Sequence, residues 1–190
     1  MCRQWEFSVH RPWLVAALGY TYALAGRVSK GLSMLQRAVD EAERLGNVTG
    51  QTWRLTWLGE ALLLAGRLDE AASTGSQALE QSRQRGERGY EAWALRLQAE
   101  VAASSKAARR AEAHERFCEA LALAGTLEMR PLEARCHLGL AALHQADGRI
   151  DEASAARVHA ITMLRSMDMN FWLSQAQGLR LGGEQPIPPE

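Results

Sequence analysis

The feature that most limits how this chain can fold is that it repeats itself. Leu18-Gly19 returns forty positions later as Leu58-Gly59, and Ala25-Gly26-Arg27 returns at the same offset as Ala65-Gly66-Arg67. Gly66-Arg67-Leu68-Asp69-Glu70-Ala71 comes back as Gly148-Arg149-Ile150-Asp151-Glu152-Ala153. Small residues keep the same beat: Gly31, Ala71, Ala113 and Ala153 form one series, and Ala38, Ala78, Ala120 and Ala160 a second. Both series step by 40, 42 and 40 residues, so four copies of one repeat follow one another.

Each repeat reads as two helices and a tight turn. Apolar residues recur every three or four positions, and β-branched runs are missing. Gly26, Gly66 and Gly148 close the first helices, Asp69-Glu70 and Asp151-Glu152 open second ones, and Pro12 and Pro131 sit near the starts of first helices. First helices are predicted over about 10–25, 50–65, 88–104 and 131–146, second helices over about 28–45, 68–85, 108–125 and 150–167. A closing helix follows over about 170–181, and 182–190 reads as a frayed tail. One domain is expected over 1–181, with repeats at about 10–46, 50–86, 88–126 and 131–168. The small residues let helix axes approach to about 8–10 Å, while Leu35, Leu79, Phe117 and Leu164 fill the layer around them. A lone helix pair cannot bury its apolar face, so the pairs are expected to stack.

Composition excludes several classes. In 190 residues, 22 basic and 22 acidic side chains cancel and 47% are apolar, which fits a globular domain and gives nucleic acid or an anionic membrane no electrostatic claim. Neither Lys30 nor Lys106 follows a phosphate-cradling glycine loop. Cys2, Cys118 and Cys136 lack CxxC spacing, which fits free thiols in a reducing cytoplasm. The apolar stretch Leu14–Gly19 mimics an export signal, but its copy at 55–65 marks it as part of the repeat, and no apolar run approaches the roughly 20 residues of a membrane span.

These residues resemble the tetratricopeptide repeat (TPR) family. The likeness rests on Leu18, Gly19, Tyr22, Gly26, Gly31, Leu35 and Ala38 in repeat one, and on Leu58, Gly59, Leu62, Gly66, Ala71 and Ala78 in repeat two. Repeat four contributes Leu140, Ala141, His144, Gly148, Ala153 and Ala160, and repeat three only Ala113, Phe117 and Ala120. Gly75 and Arg157 stand where the family has a large apolar residue, and Ala108 where it has a turn glycine. The resemblance implies an all-α, right-handed superhelical α-α solenoid of about four helix pairs with a C-terminal capping helix, its first helices lining a concave groove. Arg130-Pro131-Leu132, His137–Leu140, Met167–Leu173 and Glu91–Leu97 also look like the C-terminal region of large bacterial signalling proteins that carry class III cyclase and ATPase domains. On that likeness the chain is a regulatory part of such a protein, without the parent's activity.

Trp13, Trp53 and Trp93 stand 40 apart, and seven residues after each come Tyr20, Glu60 and Glu100 on the same helical face. Repeated packing between neighbours is the plainer origin of such a series; a ladder of groove contacts, with Arg96 as local counter-charge, is the functional one. Trp57 is assigned to the core. Glu60 and Glu100 resemble a glycosidase pair less than a site for an Arg- or Lys-bearing peptide. His137 and His144 lie too far apart for one ion, His10, His114 and His159 have no ligand at metal spacing, and neither metal nor cofactor is expected. Cys118 and Cys136 lie within reach across repeats three and four, with a buried free thiol the expected outcome. Arg83–Arg88 and Lys106 with Arg109-Arg110 read as solvated faces, and Asn47 and Asn170 fall outside the positions of a carboxylate clamp. The expected function is a non-enzymatic, cytoplasmic module binding a protein or peptide, with small-ligand sensing, or self-association through an exposed end at Met1–Phe7, as alternatives.

Overall fold

The computed structural model describes residues 2–47, 49–105 and 107–178, and gives no side-chain placement for 2–9 or Ala107. Among these residues the secondary structure is helical throughout, with no strand. The elements are α1 (Cys2–Leu24), α2 (Val28–Arg44), α3 (Gln51–Leu64), α4 (Leu68–Arg85), α5 (Arg88–Ser104), a 3-10 turn (Ala107–Arg109), α6 (Arg110–Thr126), α7 (Arg130–Ala146), α8 (Ile150–Ser166) and α9 (Asn170–Gly178). No described helix is long and apolar enough to cross a membrane.

The turn chemistry explains why the boundaries recur. At Gly26 (φ 80°), the Gly26 N–H donates to the Ala23 carbonyl and the Arg27 N–H reaches back to Tyr22, a paired closure that needs a left-handed residue. Gly66 and Gly148 repeat both bonds. The next helix then opens on an arginine that grips a glutamate three residues on, Arg67 with Glu70 and Arg149 with Glu152. That pairing is the physical content of the repeated Gly-Arg-x-Asp-Glu motif.

The chain packs as two compact units, Met1–Val101 and Ala102–Glu190. In the first, α1 packs on α2 and α3, and α3 on α4. Both series of small markers are buried. At Gly31 a Cβ would come within 2.6 Å of the Gly19 carbonyl oxygen, so α1 and α2 meet there backbone to backbone. Leu97 of α5 fills the space beside Gly59 and Gly75, where a Cβ would lie 2.5 and 3.4 Å from it, which accounts for the missing large residue at 75. In the second unit α7 packs on α6 and α8, α9 closes against α8, and the ring of Phe117 sits against Gly139.

Some expectations need correction. Pro12 lies inside α1, because that helix begins at Cys2 rather than near residue 10. Cys118 is exposed while Cys136 is buried. Arg157, a misfit by sequence, is buried. Lys106 and the tail 182–190 lie outside the described residues, as do the end of the predicted closing helix and the side chains of Met1–Phe7.

Candidate functional site

Helical spacing places Tyr20 on α1, Trp53, Trp57 and Glu60 on α3, and Tyr90, Trp93, Arg96 and Glu100 on α5, within the first unit. These side chains form two linked rows. In the aromatic row Tyr20 stacks on Trp57, with centroids 5.2 Å apart and planes 7° from parallel. Trp57 leans on Trp53 at 5.1 Å, and Trp53 meets Trp93 edge-on at 5.3 Å and Tyr90 at 5.5 Å. All five rings are partly exposed.

The polar row runs along the same helices. The Tyr20 hydroxyl donates to Glu60 Oε2 at 2.5 Å. Arg96 donates from Nη2 to Glu60 Oε1 and from Nη1 to Glu100 Oε1. Its guanidinium also lies 5.2 Å from the Trp93 centroid. The Arg96 side chain is fully buried, Glu60 is 5% exposed and Glu100 26%. Of the two carboxylates bound to this guanidinium, Glu100 is the one with surface open to solvent. Desolvating such a pair is costly and is repaid only by good geometry and extra hydrogen bonds, which Tyr20 and Glu100 contribute here.

The structure thus brings together six of the seven residues singled out by sequence. Trp13 is the exception. It is 49% exposed, and a Cβ built on Gly50 would lie 3.9 Å from Trp13 Cδ1. Glu60 is buried, and its bonds to Tyr20 and Arg96 turn it inward. Trp57 is a member of the aromatic row rather than a core residue. Tyr90 was missed, although its place three residues before Trp93 puts it on the same face.

A second polar cluster was also missed. Buried Arg54 donates to Gln51 Oε1 and to the Asn47 carbonyl, both at 3.0 Å, and Gln51 in turn donates to Glu43 at 3.1 Å. Burial, then the positive Arg85, holds the Arg54 pKa below its usual value. In the second unit the histidines pair across helices, His114 with His144 and His137 with His159. No described group of three ligating side chains has the arrangement of a metal site. The basic clusters are ion-paired at the surface: Arg83 with Glu91, Arg109 with Glu112 and Arg110 with Asp147, each at 2.9 Å.

No protein-family model matches the chain, and no curated protein matches it either.

Proposed function

We propose that the chain is a non-catalytic interaction module, built as a TPR-like stack of helix pairs, that binds a protein segment on the first-helix face of its first unit. The observation that carries this reading is the row Tyr20–Trp57–Trp53–Trp93, in which rings from α1, α3 and α5 meet while remaining partly open to solvent. Rings of this kind bring large apolar area at small conformational cost, and Trp and Tyr dominate the residues that anchor interfaces. Beneath them, the Tyr20–Glu60–Arg96–Glu100 bonds tie the three helices, so the face is presented already ordered and little entropy is lost on docking.

The test is affinity for a captured and purified partner. Trp53→Ala should weaken binding at least about tenfold, the loss expected when a central aromatic anchor is truncated. Undiminished affinity in a variant with native helix content overturns the reading.

A different feature favours small-ligand sensing as the alternative. An open cavity of about 440 Å³, lined by Ser29, Ser33, Gln36, Leu58, Leu62 and Arg67 among others, lies where α2, α3 and the start of α4 meet. A metabolite that raises the melting temperature of the wild type but not of Ser33→Trp would support it.

A further inference from the structure

We infer that the partner segment taken by the aromatic row is basic, with an arginine or lysine side chain lying against the rings beside Glu100. This rests on the reading of the row as a docking face and adds the chemistry of its occupant. Among the described residues, the carboxylates joined to the row are Glu60 on α3 and Glu100 on α5, both bound to Arg96. Arg96 is fully buried and engages both carboxylates, so the internal cation is committed inward. Glu100 keeps a quarter of its side chain in solvent, and among the described residues Arg96 is its ion-pair partner.

An anionic segment would therefore meet a carboxylate and the negative faces of the indoles. A cationic one meets complementary charge and π-faces together. The protein already displays that chemistry internally, since the Arg96 guanidinium rests over Trp93 while bound to Glu100. Leu64, 52% exposed one turn beyond Glu60 on α3, adds an apolar contact next to the charged end. The segment that fits pairs a cationic side chain with apolar neighbours.

Fluorescence anisotropy on the full chain tests this with three labelled peptides of the same Gly/Leu framework, bearing arginine, glutamine or glutamate at the variable positions. The arginine peptide should bind best, the glutamate peptide least, and added salt should narrow the difference. Glu100→Gln should weaken the arginine peptide roughly threefold to fivefold, in the range of a partly exposed ion pair, and leave the glutamine peptide unchanged. Tyr90→Leu, which leaves the polar row intact, should weaken arginine and glutamine peptides alike. Equal binding of arginine and glutamine peptides, both lost in Trp53→Ala, would overturn the charge assignment and leave the docking face standing. Arginine-peptide binding that is unmoved by Trp53→Ala and Tyr90→Leu would mean attachment elsewhere and overturn both, as would no binding by any of the three.

Discussion

Glu60 and Arg96 show how much a single buried pair commits a fold to one arrangement. Removing Glu60 leaves the buried Arg96 with Glu100 alone, and breaking a buried pair in this way costs up to about 3–5 kcal/mol. Glu60→Ala should therefore lower unfolding stability by about that amount in urea titration, whereas the isosteric double change Glu60→Leu with Arg96→Met should recover most of it. Equal losses in the single and double variants would contradict the pairing. Backbone strain is the second residue-scale term. Two turns that lack a glycine still use the left-handed conformation, with Glu128 and Asp168 both at φ 54°. Aspartate tolerates that region better than glutamate does. Glu128→Gly should thus stabilise the chain by about 0.5–1 kcal/mol, relief of strain outweighing the entropy of a freer unfolded chain. A lower melting temperature would count against it.

Helix pairs in the second unit carry a pH dependence through two of their histidines. Burial, then neighbouring His159, holds His137 below the usual imidazole pKa. Burial and then Arg149 do the same for His144, with Glu152 opposing. A folded-state pKa below the unfolded value means that the unfolded chain takes up protons first. The contribution is therefore complete above about pH 6.5, the unfolded value, and is lost as pH falls through the folded ones. Calorimetry should show the melting temperature falling on acidification from about pH 7.5 to 5.5, with a smaller drop in His137→Gln with His144→Gln. An identical drop in that variant would refute the assignment.

At this scale the sequence was most informative where a cap was written into it. Helix α4 begins and ends where predicted, because Arg67–Glu70 opens it and Gly86 (φ 67°) closes it. The start of α1 was missed because Pro12 was read as a helix start, a plausible role for a residue without an N–H. The His114–His144 and His137–His159 pairs depend on the register between different helices, at separations of 30 and 22 residues that no helical period encodes.

Considered as a whole molecule, the chain makes the burial of a repeated position depend on its neighbours, as in quasi-one-dimensional proteins. Leu18 and Leu58 occupy the same place in repeats one and two, yet Leu18 is 49% exposed and Leu58 5%. Helix α3 has α1, α2 and α4 packed against it and also meets α5 where Trp53 touches Trp93, and Leu58 on α3 is buried. Leu58→Ala should cost about 2–5 kcal/mol, and Leu18→Ala under about 1. Comparable losses at both would refute a neighbour-dependent core. The candidate site was legible in part for the same reason. A spacing of 40 marks the residues that neighbouring repeats bring together, which located Tyr20, Trp53, Glu60, Trp93 and Glu100. The spacing says nothing of which way each faces, and so Glu60 was read as open when it is buried.

The central claim is that the first-helix face of the first unit is where a protein partner docks. Site-specific photo-crosslinking tests it most directly, with a benzophenone amino acid at exposed position 13, two turns before Tyr20 on α1, or at exposed position 158 of the second unit. The account predicts one partner crosslinked from 13, lost when Trp53→Ala is added, and not captured from 158. Capture from 158 alone, or from 13 regardless of Trp53, would contradict it.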